Sequence, residues 1–129
     1  ERVRFLGFQK ISDVLPRLGV LVLTSISEAF PLVILEAYAS GLPVVATDVG
    51  ACREIIEGNN DEDRALGSAG IVIPMADPEA TAHAVVALLA DENRWHSALK
   101  AGIQRVERYY TQAKMLDSYK IIYDQALTT

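Results

Sequence analysis

Two runs constrain this chain more than any other feature: Gly19-Val20-Leu21-Val22-Leu23-Thr24 and Pro43-Val44-Val45-Ala46-Thr47. Neither alternates apolar with polar residues, so neither suits a sheet with one wet face. Continuous branched runs of this kind fit parallel strands covered on both faces. Parallel neighbours need a crossover between them, and the intervening sequence supplies one. Pro31–Ser40 reads as a helix, with a proline early and Gly41 just past its end. Two further runs, Val3–Leu6 and Gly70–Ile73, read as strands, giving four in all. Ile11–Leu18 is a weaker helix, with Ser12-Asp13 as its start and Pro16 set against a long one. Glu54–Glu57 reads as a short helix ending at Gly58. The polar stretch Asn59 to Ser68 reads as a loop with room for one helical turn. Strands alternating with helices make this an α/β chain, a Rossmann-like parallel sheet with flanking helices.

From residue 77 the pattern is helical throughout. Asp77-Pro78-Glu79 combines a capping side chain, a proline and an acid at the positive end of a helix. Apolar positions follow at Val85, Leu88 and Leu89. A second helix begins at Asp91-Glu92, with Trp95, Leu99, Ile103, Val106 and Tyr110 at three-to-four spacing. Thr111 caps a third, with Met115, Tyr119, Ile122 and Ala126 along one face. Residues 1–76 therefore form an α/β part and residues 77–129 a helical tail. Four strands are few for a doubly wound sheet, which commonly has about five or six. The chain has no starting methionine and runs almost at once into a strand-like segment. The expectation is a partial domain of something longer.

Composition narrows the function. With 50% hydrophobic and 22% charged residues, the 129-residue chain can bury a core and is not a disordered segment. A formal net charge of -5 argues against a nucleic-acid surface. The single cysteine, Cys52, fits a reducing compartment and a small buried residue. No apolar run approaches the ~20 residues needed to span a bilayer. A cytoplasmic location is expected. There is no Asp-x-Asp, no paired His–Cys spacing and no His-Glu-x-x-His, so no metal site is expected. His83 and His96 fall in helices remote in sequence from the strand ends, and Trp95 and the tyrosines read as helix-packing residues.

In open parallel sheets, ligands lie beyond the carboxyl ends of the strands. The run from Gly19 ends in Thr24-Ser25-Ile26-Ser27-Glu28, and a helix starts near Phe30-Pro31. The amides of Phe30 and Leu32 come too early in that helix to have partners within it, and such amides suit phosphate or sugar oxygens. Pro31 has none to offer. Glu28 sits in the loop, and Glu36 lies about two turns into the helix. An ionised carboxylate accepts two strong hydrogen bonds from a vicinal diol. On spacing alone the plainer alternative, a loop acid and a solvated helix residue, carries more weight. Asp48-Val49-Gly50 follows the third strand. Gly50 either lets the backbone approach a ligand or partner domain closely or makes a tight turn.

The run LVLTSISEAFPLVILEAYASGLPVVATDVGACREII resembles the nucleotide-binding half of family 4 retaining glycosyltransferases of GT-B architecture. FLGF before it and GIVIP…DPEA after it extend the likeness over residues 3 to 90. The resemblance implies that Glu36 binds the ribose hydroxyls of a nucleotide and that Glu28 orients the donor sugar. It implies that the amides of Ala29, Phe30 and Leu32 hold sugar and diphosphate. Thr24 and Ser25 would lie near the ribose or phosphates, and Gly7, Phe8 and Gln9 would approach the base. Ala29 departs from the glycine common at its position, which puts the donor geometry in doubt. The implied chemistry uses a UDP-sugar substrate and a saccharide acceptor, with no metal and no cofactor. Amides, the helix dipole and basic side chains would meet the phosphate charge. The basic Arg–Lys pair and the N-terminal acceptor domain that the family uses are not in this sequence.

A narrower likeness is visible in FLGFQKISDVLPRLGVLVLTSISEAFPL and VGACREIIEGNNDEDRALGSAGIVIP. These segments are similar to PelF-like enzymes, the cytoplasmic glycosyltransferases of Pel exopolysaccharide synthesis. That implies a polysaccharide-synthesis complex at the inner membrane, with this protein peripheral to it. Three alternatives stay open. One is an inert folded fragment or weak nucleotide binder, whose exposed sheet edge invites self-association. Another is a GT-B nucleotide-sugar epimerase. The last is a regulatory α/β domain, for which Asp48 is the only phospho-acceptor placed at a strand end.

Overall fold

The structure, a computed structural model, describes residues 2–128; Glu1 and Thr129 lie outside the described residues. A single helical turn α1 (Ile11–Val14) runs into a 3-10 turn at Leu15–Arg17, and β1 (Leu21–Leu23) follows. Then come α2 (Leu32–Ala39), β2 (Val44–Thr47), α3 (Cys52–Glu57), the short α4 (Asp61–Arg64) and β3 (Gly70–Ile73). Three helices complete the chain: α5 (Pro78–Ala90), α6 (Glu92–Tyr109) and α7 (Gln112–Leu127). The strands form one parallel sheet in the order β1–β2–β3. Leu21 stands opposite Val44, and Val44 opposite Gly70.

β2 is buried along its whole length. Side chains alternate across a strand, and the two faces of β2 feed two separate cores. Val44 and Ala46 pack with Ile34, Ala37 and Tyr38 of α2 and with Ile55 and Ile56 of α3. Val45 packs on the other side with Ala84 and Leu88 of α5. The unbroken apolar run is thus explained by helices on both faces. α6 serves both cores, giving Ala101 to the first and Ala98 to the second. Three of the expected start signals cap their helices, whereas Ser12-Asp13 does not: α1 has Lys10 at its N-cap and no side-chain cap. Asp77 accepts from the Ala80 amide at 2.8 Å, Asp91 from Arg94 at 3.0 Å and Thr111 from Lys114 at 3.3 Å.

Two expectations need correction, and two helices pack in ways the sequence left open. Val3–Leu6 is not a strand; Val3 and Phe5 are 63% and 96% exposed. A strand requires a neighbour to pair its amides and carbonyls, and among the described residues no strand lies beside this segment. Among the described residues the sheet therefore has three strands, not four. The Ile11–Leu18 helix keeps its α geometry for one turn only and gives way to a 3-10 turn containing Pro16, which has no amide to donate. In α6 the fully buried residues are Ala98, Ala101, Gly102 and Arg105, while Trp95, Val106 and Tyr110 of the expected stripe are partly buried against the two cores. Small residues let α6 approach α2 closely: a Cβ at Gly102 would stand 2.7 Å from the Tyr38 ring. α7 buries none of its residues, and Met115, Tyr119 and Ile122 are exposed.

Arg105 is the largest buried side chain that sequence reasoning passed over. Its Nε donates to the Asp63 carboxylate. Its remaining nitrogens donate to the carbonyls of Ile56 at 2.8 Å, Asp63 at 2.9 Å and Gly67 at 2.9 Å. The other Asp63 oxygen accepts from the Asn59 amide at 3.0 Å. One guanidinium thus ties the whole α3–β3 connection to α6. Removing one partner of a buried pair leaves an uncompensated charge. Arg105→Met is expected to lower unfolding stability by about 3–5 kcal/mol in denaturant titrations. Arg105→Lys is expected to recover only part of that, because one ammonium cannot span four acceptors.

Candidate functional site

The site is built on the carboxyl edge of the sheet. β1 stops at Leu23, and the loop Thr24–Pro31 carries the chain to α2. Within that loop the Ser25 hydroxyl donates to Glu28 Oε1 at 2.7 Å. Thr47, the last residue of β2 and only 3% exposed, donates to the Ser25 carbonyl at 2.6 Å. It makes a second, longer contact of 3.5 Å with the carbonyl of Leu23. The loop after β2 closes on the loop after β1 from another side. The Ala51 amide donates to the Ala29 carbonyl at 3.0 Å. Gly50 has φ +50°, and a Cβ there would lie 2.0 Å from the Glu28 carbonyl oxygen. Close approach is therefore the reason for this glycine, and the group approached is the chain's own loop. Gly50→Ala must push the two loops apart as well as occupy a left-handed conformation. It is expected to cost more than about 1 kcal/mol of stability in thermal or denaturant unfolding.

Glu28 is half-buried in this loop, and Glu36 is exposed on α2. No side chain caps α2, whose first residue follows Pro31. Its early amides are therefore not spent on a cap. Ala29, Phe30 and Leu32 are all exposed. The Phe30 ring lies 5.7 Å from that of Tyr110. With Leu32, Leu35, Met115, Tyr119 and Ile122, these rings line a groove of about 680 Å³ between the start of α2 and α7. Thr24 lies on a different hollow of about 430 Å³, shared with Ile26, Thr47 and the start of α5.

Among the expected site residues, the structure thus joins Ser25 directly to Glu28. It sets Ala29, Phe30 and Leu32 along the same loop and helix start. It does not bring Gly7, Phe8 and Gln9 to them. Phe8 is fully exposed, and Gln9 turns back to donate to the Leu6 carbonyl at 2.7 Å.

Charge at the edge is arranged by a residue the sequence reading did not single out. Arg53 Nη2 donates to Asp48 at 2.7 Å and Nη1 to Glu57 at 2.9 Å. The hydrogen bond from Arg53 holds the Asp48 carboxyl below the usual carboxylate range. Arg53 stands four residues before Glu57, a spacing that makes neighbours on a helix and was legible in principle. Cys52 is buried, as expected, and burial pushes its thiol pKa up, away from nucleophilic reactivity. His83 and His96 are exposed on α5 and α6. Among the described residues, no three His, Cys, Asp or Glu side chains group to hold a metal ion, and no helix is long and apolar enough to cross a membrane.

A parallel sheet with helices on both faces and an acid-bearing loop over its carboxyl edge defines the class of Rossmann-like α/β domains. The sequence profile described as "Glycosyl transferases group 1" matches residues 1–91, and the chain belongs to that family. The lipopolysaccharide core biosynthesis mannosyltransferase LpsB of Rhizobium meliloti is 30% identical over 128 residues, covering 98% of this chain and 35% of that protein. The N-acetyl-alpha-D-glucosaminyl L-malate synthase of Bacillus anthracis is also 30% identical over 128 residues, covering 98% of this chain and 32% of that protein. Among solved structures, the sucrose-phosphate synthase of Thermosynechococcus elongatus superposes with a TM-score of 0.72 at 29% identity, over 85% of this chain and 26% of that one. The C-terminal domain of a group 1 glycosyl transferase from Francisella tularensis superposes with a TM-score of 0.67 at 27% identity, over 85% of this chain and 53% of that one. The fold is that of a GT-B glycosyltransferase C-terminal domain. The chain spans about a third of the length of the two curated relatives.

Proposed function

We propose that this chain is the donor-binding part of a retaining glycosyltransferase that moves a hexose from a UDP-sugar to a saccharide acceptor. The observation that carries the reading is the Ser25–Glu28 pair beside the uncapped start of α2, on the carboxyl edge of the sheet of a group 1 family member. Glu28 orients the donor sugar. Glu36 holds the ribose hydroxyls, and the amides of Ala29, Phe30 and Leu32 take the diphosphate and sugar oxygens. Thr24 lies toward the ribose. Transfer proceeds without a metal, with the helix dipole, amides and basic groups of the complete protein meeting the phosphate charge. The acceptor domain belongs to that complete protein. Its setting is exopolysaccharide synthesis of the Pel type, on the cytoplasmic side of a membrane complex.

Two carboxylates on one donor suggest a separable test. A charged hydrogen bond contributes about 1.5–3 kcal/mol, so Glu36→Ala in the full-length enzyme is expected to weaken UDP binding roughly 10- to 100-fold by calorimetry. Unchanged affinity would overturn the ribose role. A second reading concerns the chain by itself, which spans only about a third of the proteins it matches. Alone it is expected to transfer no sugar from UDP-glucose and to self-associate through β1, which lies at the sheet edge. Measurable transfer in a radiolabel assay, or a strict monomer by light scattering at rising concentration, would count against this second reading.

A further inference from the structure

We propose that Thr47 is a positioning residue for Glu28, acting through Ser25. This rests on the reading of Glu28 as the residue that orients the donor sugar. Thr47 closes the most buried strand of the sheet and is itself buried. Its hydroxyl carries one proton, and the nearer of its two acceptors is the Ser25 carbonyl, at 2.6 Å against 3.5 Å for Leu23. Holding that carbonyl fixes the Ser25 peptide plane, and with it the direction of the Ser25 side chain. The Ser25 hydroxyl then stands 2.7 Å from Glu28 Oε1, the length of a strong bond to a carboxylate oxygen.

The loop that carries Ser25 and Glu28 has no regular structure of its own. Within it, the hydrogen bond that aims the carboxylate among the described residues is the one from Ser25. Support comes from the neighbouring strand and its loop. Thr47 fixes one end, and Gly50 and Ala51 bear on the Glu28 and Ala29 carbonyls at the other. Glu28 Oε1 is taken by Ser25, which leaves Oε2 free of that bond. The relay therefore sets which way the second carboxylate oxygen faces.

Glu36 and the amides of Phe30 and Leu32, assigned to ribose, diphosphate and sugar, are not part of this relay; Ser25 alone belongs to both, which is why Thr47 is the residue to vary first. Loss of the Thr47 hydroxyl should therefore misplace the sugar-orienting carboxylate while leaving nucleotide affinity largely intact, a change in kcat rather than KM.

The test uses the full-length enzyme, with nucleotide release measured from UDP-glucose, UDP-galactose and UDP-N-acetylglucosamine and the fastest donor carried forward. Thr47→Val is nearly isosteric and lacks the hydroxyl; Thr47→Ser keeps it. A misplacement on the order of 1 Å can cost up to about 100-fold, so Thr47→Val is expected to lower kcat roughly 10- to 100-fold. Its donor KM should stay within about threefold of wild type, and Thr47→Ser should restore kcat to within about threefold. Glu28→Gln should lower kcat at least as far. In the Glu28→Gln background, Thr47→Val should add less than about twofold, because residues acting as one unit are not additive. If Thr47→Val fails to fold, Ser25→Ala breaks the same relay outside the core and is held to the same non-additivity with Glu28→Gln. The proposal is overturned if Thr47→Val or Ser25→Ala leaves kcat unchanged, if Thr47→Ser does not rescue, or if the losses multiply in the Glu28→Gln background. A Glu28→Gln variant with full turnover, or a wild type that releases nucleotide from none of the three donors, overturns the underlying reading of Glu28 instead.

Discussion

Burial of β2 on both faces is the constraint on which the rest of the molecule depends. Val44 and Ala46 lie in one core and Val45 in the other, so a slip of one residue in register would exchange every contact between them. The strand is consequently fixed in position, and its last residue, Thr47, is a fixed reference at the carboxyl edge. The loop after β1 is anchored to that reference by a side-chain hydroxyl rather than by ladder bonds. A short three-residue strand such as β1 can therefore present a defined loop at its end.

The far side of the sheet depends on a polar device. β3 pairs with β2 only if the connection from α3 delivers Gly70 against Val44 in register. A Cβ at Gly70 would come within 1.8 Å of the Val44 carbonyl oxygen, so that pairing also demands a glycine. Apart from the single turn of α4 the connection is irregular, and its backbone carries carbonyls that need donors. Arg105 supplies them to Ile56, Asp63 and Gly67, while its charge is met by Asp63. An acidic, polar stretch thus packs against a helix without an apolar core of its own.

What could be read from the sequence was what is local. Asp77, Asp91 and Thr111 each cap a helix through an amide three residues away, and their side-chain types announce it. The runs at β1, β2 and β3 carry their strand character in consecutive residues. The features that escaped are those made by distance. Arg105 and Asp63 are 42 residues apart, and an arginine in a helix otherwise reads as surface. Val3–Leu6 has strand composition, but strand formation depends on a neighbour that composition does not reveal. The stripe expected on α6 was drawn through its large residues, whereas close packing against Tyr38 selects the small ones. Of the site, the acids and the helix start were legible in the order of residues. The hydroxyl of Thr47 was not, because only the parallel pairing of β1 with β2 sets it beside Ser25.

Gly50 shows what such stitching means for a ligand. With no side chain between them, the loops after β1 and β2 share one surface, and the Glu28 and Ala29 carbonyls rest against the backbone of the other loop. A free loop must surrender its conformational entropy when a ligand arrives, and that loss is subtracted from affinity. Here the ordering is already complete when the sheet forms. The burial that holds β2 in place therefore also makes the loop ready before any ligand reaches it.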